Sequence, residues 1–306
     1  MKRTLISLEG LSVGDAFGRT FVDVPMHLRG RVVGRRQLDG KYQKPLWPYT
    51  DDTVMAVGVL EVLAQKRVVE QDMLASVFAR RFAADPKRGY GKRVREVLKA
   101  IAGGESWRVA AKSVFNGGSL GNGSAMRVAP LGAYFADDYQ EVVEQARLSA
   151  EVTHMHPEGI AGAIAVAVAA AFAWNHRKHL DDEAGGQLLA CVMDHLPEGQ
   201  VRSGVERALS IPLNESVSIL KVTKELGNGI HVTCPDTVPY VLWCSAKFLD
   251  DYTDALWTTI AGLGDLDTTC AIVGGIVALS AGKDSIPAEW LRNREPLDLG
   301  NIAISI

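Results

Sequence analysis

The chain has 306 residues, a length that fits one large domain or two ordinary ones. Hydrophobic residues make up 47% of it and charged residues 23%, which is the composition of a soluble globular enzyme. The net charge of −3 offers no general basic surface, so no nucleic-acid partner is expected.

Cysteines and apolar runs indicate the cellular compartment. The four cysteines are scattered and form no CxxC pair, which argues against structural zinc and favours a reducing compartment. No secretory signal is predicted, because Glu9 ends the first apolar run. The longest uncharged apolar run, Gly159–Trp174, is short for a membrane span and typical of a core helix. We therefore expect a cytoplasmic protein with no membrane partner.

Apolar residues recur at helical spacing along most of the chain. The first pattern runs from Val54 to Leu63, and the second, from Val94 to Ile101, ends at a glycine pair that stops helices. Further helices are predicted at 70–84, 106–114, 138–150, 157–175, 184–195, 215–226, 236–248, 253–262, 269–281 and 287–293. Strand patterns are scarce, with weak candidates at 32–33, 230–232 and 303–304. The fold class is therefore all-α, with about a dozen helices and a long basic loop from Gly30 to Pro48.

Two acidic clusters lie about two hundred residues apart, and each precedes an apolar helix. The first is Thr50-Asp51-Asp52-Thr53, and the second is the segment 264–269, GDLDTT. Their carboxylates and threonine hydroxyls form an all-oxygen ligand set of the kind that Mg²⁺ and Mn²⁺ prefer. If the clusters meet, they could hold two ions roughly 3.5–4 Å apart, and no domain boundary separates them.

Helix capping is the alternative for either cluster taken alone, because such residues are common at helix starts. The pair Asp265 and Asp267, however, exceeds what one cap requires. Alternate side chains point the same way only in extended backbone. We therefore expect these two ligands to lie just before the second helix begins.

The glycine-rich segment 117–127 (GGSLGNGSAMR) is a second candidate binding element. Its glycines would let backbone N–H groups approach a ligand closely. Asn122 and Ser124 would cap the following helix and present N–H groups to a phosphate. It is not a Walker loop, because no Gly-Lys-Ser/Thr follows. A flexible interhelical loop is the alternative.

Two shorter segments are further candidates for functional elements. Residues 10–18 (GLSVGDAFG) place three glycines four apart, which permits close helix packing, and Asp15 among them is either structural or a support for the metal site. In the segment 153–159 (THMHPEG), Pro157 suits a helix start. His154 and His156 would then contact a phosphate or ribose, transfer protons, or cap that helix.

These segments, in this order, resemble the ADP-ribosylglycohydrolase family, which includes the dinitrogenase-reductase-activating glycohydrolase and the ADP-ribosylarginine hydrolases. The matching stretches are GLSVGDAFG, TDDT, GNGSAMRVAP, THMHPEG and GDLDT, at 10–18, 50–53, 121–130, 153–159 and 264–268. The resemblance spans essentially the whole chain. It implies a single compact orthogonal multi-helix domain over residues 1–306 with a central dinuclear metal cleft.

The resemblance also implies a ligand set and a cofactor of two Mg²⁺, with Mn²⁺ as the alternative. The implied metal ligands are Thr50, Asp51, Asp52, Asp265, Asp267 and Thr268. The implied substrate-binding residues are Gly121, Asn122, Gly123, Ser124, Met126, His154 and Asp15. Asp52 is the first candidate for the catalytic group that accepts a proton from water, and Asp51 is the second.

The sequence departs from the family pattern near the end of the first matching stretch. Many relatives carry Pro-x-Glu-Phe after the Gly-Asp-Ala-x-Gly motif, and Val22 falls at the Glu position. Asp23 or Asp39 from the following loop is the candidate replacement. This departure bears on the identity of the general acid or base and of the acceptor more than on the prediction of metal binding.

Three functions fit these residues. The leading one is a Mg²⁺-dependent hydrolase, working as a monomer, that removes ADP-ribose from a protein side chain or a small ADP-ribosyl compound. Arginine is the first choice of acceptor, so that the enzyme would reverse mono-ADP-ribosylation. The alternatives are a hydrolase of a free nucleotide-sugar metabolite and a catalytically silent ADP-ribose-binding homologue.

Overall fold

The computed structural model describes residues 1–36, 45–113, 117–214, 216–300 and 302. Its described part consists of helices and their connections, with only two isolated β-bridges, so the predicted all-α class is confirmed. The helices described are α1 (Lys2–Val22), α2 (Met26–Gly34), α3 (Asp51–Lys66), α4 (Gln71–Ala84), α5 (Lys92–Ala102), α6 (Trp107–Ser113), α7 (Ala129–Tyr134), α8 (Tyr139–Glu151), α9 (Pro157–His176), α10 (Ala184–His195), α11 (Gln200–Leu209), α12 (Ile219–Leu226), α13 (Cys234–Lys247), α14 (Tyr252–Ile260), α15 (Leu266–Ala281) and α16 (Ala288–Asn293).

Most predicted helices occur within a few residues of their expected bounds, but α1, α7 and α11 were not among them. The predicted loop from Gly30 is also wrong at its start, because α2 extends to Gly34 and contains the weak strand candidate at 32–33. This helix buries only Val32 and Val33, so it lacks the apolar stripe that reveals a helix in a sequence. The strand candidate at 230–232 forms a turn, and the one at 303–304 lies outside the described residues.

Helices α1 and α15 pack antiparallel with their backbones in close contact. A Cβ atom added to any of the three spaced glycines of α1 would lie 2.1–2.3 Å from a carbonyl oxygen of α15. The pairs are Gly10 with Gly274, Gly14 with Cys270, and Gly18 with Leu266. No real side chain fits at such distances, so the predicted close packing along this glycine stripe is confirmed.

The same packing brings the two acidic clusters to one place. The start of α15 lies against Gly18, near the end of α1. On the same helix, Asp15 accepts hydrogen bonds from Thr50 and Thr53 at the start of α3. Helix α1 therefore joins two helix N-termini that are far apart in the sequence.

Helix α9 forms the centre of the hydrophobic core. By length and composition it is the one helix in the described ranges that could cross a membrane, yet 83% of its apolar window is buried inside the protein. It packs against α7, α8, α10, α13 and α15. Its alanines and Gly162 allow these neighbours to approach, as expected of a core helix.

Candidate active site

The first acidic cluster forms the N-terminus of α3. Thr50 is the N-cap, and its hydroxyl accepts a hydrogen bond from the Asp52 N–H group at 3.4 Å. Asp51 and Asp52 occupy the first turn of the helix. The first turn surrounds the open helix end, because its N–H groups have no partners within the helix and favour negative charge.

Asp15 lies beneath this helix start and is completely buried. Its Oδ2 atom accepts hydrogen bonds from the N–H and hydroxyl of Thr53, at 3.2 and 2.5 Å, and from the Thr50 N–H at 2.9 Å. Its Oδ1 atom accepts from the Thr50 hydroxyl at 2.9 Å. Asp15 was predicted among the substrate-binding residues, but both its oxygens are engaged in supporting the first cluster. This geometry favours the structural alternative.

The Thr50 hydroxyl lies between the carboxylates of Asp15 and Asp52. Its single hydroxyl proton faces both Asp15 Oδ1, at 2.9 Å, and Asp52 Oδ2, at 2.7 Å. The buried Asp52 Oδ1 atom has no hydrogen-bond partner. Carboxylate oxygens from two residues therefore lie close to one hydroxyl, and one buried carboxylate oxygen has no donor. Such a group of oxygens suits a hard cation.

The second acidic cluster surrounds the start of α15. Asp265 is the N-cap, as expected, while Asp267 and Thr268 lie in the first turn, so the expected position before the helix is wrong for Asp267. Asp267 Oδ1 accepts a hydrogen bond from the Thr268 N–H at 3.0 Å. The side chain of Asn122 donates to Asp265 Oδ2 at 2.8 Å and to the Thr237 hydroxyl at 3.1 Å. Asn122 therefore ties the glycine loop to this cluster.

The two clusters share one electrostatic environment. Burial, followed by the nearby charge of Asp267, raises the pKa of Asp15 to about 7 and that of Asp265 to about 8. Burial also raises the pKa of Asp51 and Asp52 well above the ordinary range, and the neighbouring carboxylates add to it. Like charges held together without a cation favour the protonated form, and a bound cation reverses this preference.

Within the described residues, no three His, Cys, Asp or Glu side chains form a group that could hold a metal ion without rearrangement. The donor set nevertheless fits a hard cation, because it consists of carboxylate and hydroxyl oxygens with one oxygen unpartnered.

The glycine loop does not cap a helix as predicted. Residues Asn122–Ser124 form a 3₁₀ turn, whereas α7 begins only at Ala129 and has no side-chain cap. The Ser124 hydroxyl is buried and donates to the Gly159 carbonyl at 2.7 Å, which fixes the loop to the start of α9. Met126 is buried behind the loop.

The two histidines have different positions. His156 is the N-cap of α9, where its Nδ1 atom accepts a hydrogen bond from the Glu158 N–H at 3.1 Å. His154 is buried against the glycine loop, and a Cβ atom at Gly123 would lie 2.8 Å from its Cε1 atom. His156 thus takes the capping role, and His154 is the histidine next to the candidate binding loop.

Sequence reasoning missed three polar residues that support these elements: Thr53, Arg127 and Thr153. Thr53 stood within the TDDT motif, but its hydroxyl bond to Asp15 depends on the packing of α1 against α3. Arg127 is completely buried and donates to the Gly123 carbonyl and the Thr153 hydroxyl. An arginine between apolar Met126 and Val128 was the one available signal.

The position of the family glutamate is occupied by an exposed valine. Val22 ends α1 with 38% of its surface exposed. Asp23, one candidate replacement, is exposed and forms a salt bridge to Arg19 at 3.1 Å. The other candidate, Asp39, lies outside the described residues.

Fold and site together define an all-helical protein with a buried carboxylate centre beside a glycine loop. The family model described as ADP-ribosylglycohydrolase matches residues 1–303, and the chain belongs to the ADP-ribosylglycohydrolase family. The resemblance stated from the motifs is therefore confirmed, and the protein is an ADP-ribosyl glycohydrolase. Enzymes of this family depend on metal ions.

Individual relatives agree with this assignment. The chain is 31% identical to ADP-ribosylhydrolase ARH3 of Homo sapiens over 81% of its length and 74% of that protein. It is 30% identical to ADP-ribosylhydrolase ARH3 of Gallus gallus, over 94% of the chain and 88% of the relative. A solved structure titled ADP-ribosylglycohydrolase-related protein complex shares its fold, with a TM-score of 0.67, 24% identity, and coverage of 95% and 92% of the two chains.

Proposed function

We propose that this enzyme is a Mg²⁺-dependent hydrolase that cleaves the bond between the ribose C1″ atom of ADP-ribose and an acceptor. The arginine side chain is the first choice of acceptor, so that the enzyme reverses mono-ADP-ribosylation. The convergence of two acidic helix starts on α1, joined by Asn122 to the glycine loop, supports this proposal. We place the enzyme in the cytoplasm as a monomer, without membrane or nucleic-acid partners.

The metal centre of this proposal uses oxygens from both helix starts. The proposed ligands are Thr50, Asp51, Asp52, Asp265, Asp267 and Thr268. Two Mg²⁺ ions, or Mn²⁺, supply a water of lowered pKa and neutralise the carboxylates when bound. The unpartnered Asp52 Oδ1 atom and the shared proton of Thr50 support an ion at the first cluster.

Asp52 is the proposed proton acceptor. Its Oδ2 atom is held by the Thr50 hydroxyl, which orients the carboxylate that would accept the proton from water. Asp51, next in the same helix turn, is the second candidate. The scissile bond is glycosidic, so the transition state has oxocarbenium character, and nearby carboxylates stabilise its positive charge.

Asp15 has a supporting role in this mechanism. Because it accepts three hydrogen bonds from the start of α3 at one oxygen, it fixes the orientation of Thr50 and of the first turn. The diphosphate would lie against backbone of the loop from Gly121 to Ser124, where side chains are small or turned inward. His154 lies against the same loop, which supports a contact with the ligand.

Val22 supports a second candidate function, a catalytically silent binder of ADP-ribose. The exposed apolar side chain at the end of α1 cannot replace a carboxylate in proton transfer. A hydrolase of a free ADP-ribosyl or nucleotide-sugar metabolite is the third candidate, because an altered residue at this place also fits an altered substrate.

The deciding experiment measures product release from ADP-ribosylated arginine, serine and cysteine, free guanidino compounds and α-NAD, by chromatography with Mg²⁺ and with EDTA. Metal-dependent release of ADP-ribose from one acceptor is the expected result and identifies the linkage. Binding of ADP-ribose without release from any acceptor would refute the hydrolase and support the silent binder. In that case Val22→Glu tests whether the missing carboxylate is the reason.

A further inference from the structure

Arg127 is a fully buried cation with no role in the proposed mechanism. It follows the glycine loop in the sequence, and it forms no salt bridge with a carboxylate of the described residues. Burial lowers the pKa of its guanidinium to about 9. Burying an unpaired charge is unfavourable unless hydrogen bonds compensate for it, so the acceptors around Arg127 are informative.

Three oxygens from three elements surround this guanidinium. Arg127 Nη2 donates to the Ser149 carbonyl at 2.6 Å, near the end of α8. Its Nη1 atom donates to the Thr153 hydroxyl at 2.9 Å and to the Gly123 carbonyl of the glycine loop at 3.2 Å. The ring of Phe78 lies 4.6 Å from the guanidinium carbon. Arg127 thus links the loop to the segment that carries His154.

These hydrogen bonds leave the Thr153 proton available to His154. The Thr153 hydroxyl is an acceptor towards Arg127, because a guanidinium can only donate. Its own proton is therefore free to point at His154 Nδ1, which lies 2.7 Å away. An Nδ1 atom that accepts a hydrogen bond carries no proton, so a neutral His154 carries its proton on Nε2.

The Nε2 atom of His154 faces the glycine loop. It lies 3.3 Å from the position that a Cβ atom would take at Gly121 and 3.0 Å from that position at Gly123. We propose that Arg127 and Thr153 are positioning residues that hold His154 as a neutral Nε2–H donor, aimed at an oxygen of the ligand bound against the glycine loop. This inference rests on the proposed function for the ligand, but its statement about His154 does not.

Arg127 and Thr153 have distinct tasks. Arg127 carries the permanent charge, holds Gly123 and turns the Thr153 hydroxyl; Thr153 selects the ring nitrogen that bears the proton. Burial and the neighbouring charge of Arg127 lower the pKa of His154 to about 3, which agrees with a neutral ring. A neutral donor suits a ribose or diphosphate oxygen, the acceptors that an ADP-ribose ligand offers.

The test first reads the protonation of His154 in the ligand-free protein. Long-range proton–nitrogen NMR spectra distinguish the two neutral forms of imidazole, and a His154→Gln variant identifies the His154 signals among those of seven histidines. We expect the Nε2–H form in the wild-type protein. The Nδ1–H form, or a charged ring, would overturn the proposal without any variant that has to fold.

Matched variants then test the role of Thr153. Thr153→Val keeps the shape and removes the hydroxyl, whereas Thr153→Ser keeps the hydroxyl; Thr259→Val removes a buried hydroxyl of α14 that donates to the Ala255 carbonyl. We expect Thr153→Val to lose the single Nε2–H form and to raise the ADP-ribose Kd about tenfold. The other two variants should match the wild type.

Each result of the variant series has one meaning. If Thr153→Val keeps the wild-type imidazole spectrum, or if Thr153→Ser fails to restore it, Thr153 does not select the proton and the proposal is overturned. An Nε2–H ring in a protein that binds no ADP-ribose by calorimetry would leave the positioning intact and refute the proposed ligand instead.

Discussion

The close contact between α1 and α15 makes Gly14→Ala a severe substitution. A Cβ atom at Gly14 would lie 2.1 Å from the Cys270 carbonyl oxygen and 2.8 Å from its carbon, which are helix backbone and cannot rotate away. A contact of at least 3.0 Å requires the two helices to separate locally by almost one ångström. Overpacking of this kind costs about 1–3 kcal/mol, against a gain of about 0.5–1 kcal/mol from replacing glycine with alanine in a helix.

We therefore expect Gly14→Ala to lower the free energy of unfolding by about 1–2 kcal/mol, as measured by urea denaturation. The effect on catalysis should be larger. Gly14 adjoins Asp15, and Cys270 follows Asp267 by one helical turn, so the separation displaces one acidic cluster relative to the other. A displacement of this size can reduce a catalytic rate about 100-fold.

Gly186→Ala is the matched control. Gly186 lies in α10, and no atom comes within 4 Å of the position that its Cβ atom would take. This variant should gain about 0.5–1 kcal/mol and release ADP-ribose at the wild-type rate. If Gly14→Ala proves as stable and as active as Gly186→Ala, the backbone contact does not hold the two clusters in place.

Other predictions concern the carboxylates and the loop. Asp267→Ala should abolish ADP-ribose release and most of the rise in Tm that Mg²⁺ produces, and unchanged turnover would refute the two-metal centre. In EDTA, which removes bound cations, the folded protein keeps a proton on Asp265 because the pKa of this residue is raised. The unfolded chain releases that proton above about pH 4. Its contribution to stability should therefore be present at low pH and disappear by about pH 8; an Asp265→Asn variant with the same dependence of Tm on pH would contradict this. Gly123→Ala should displace the His154 ring and weaken ADP-ribose binding about tenfold, whereas Gly91→Ala, with open space around it, should not; calorimetry compares the two.

Local signals made part of the site predictable from the sequence. The acidic residues at 51–52 and 265–267 stand directly before apolar stretches, so their place at helix starts was visible. The glycine stripe of α1 is also a local pattern, and the structure gives it a partner in α15. Signals of this kind are readable because neighbours in sequence are neighbours on one helix face.

Other features depend on contacts that no local pattern records. Asn122 was expected to cap a helix, but its side chain bonds to Asp265, 143 residues away. Asp15 was read as a binding residue because a sequence does not show that α3 begins directly above it. The bonds of Arg127 to three separate segments are equally invisible, since each acceptor is a carbonyl or hydroxyl of ordinary composition.

The pairing of α1 with α15 also sets the order in which the protein can mature on the ribosome. The first helix ends at Val22 and its partner begins at Leu266, so about 240 residues are translated between them. At about 5–20 residues per second, the glycine face of α1 waits roughly 10–50 s for its partner. During that time the first acidic cluster has no second cluster opposite it, and it is spared the mutual repulsion that later raises the pKa of these carboxylates. The two halves of the proposed metal centre can therefore meet only after α15 has been translated.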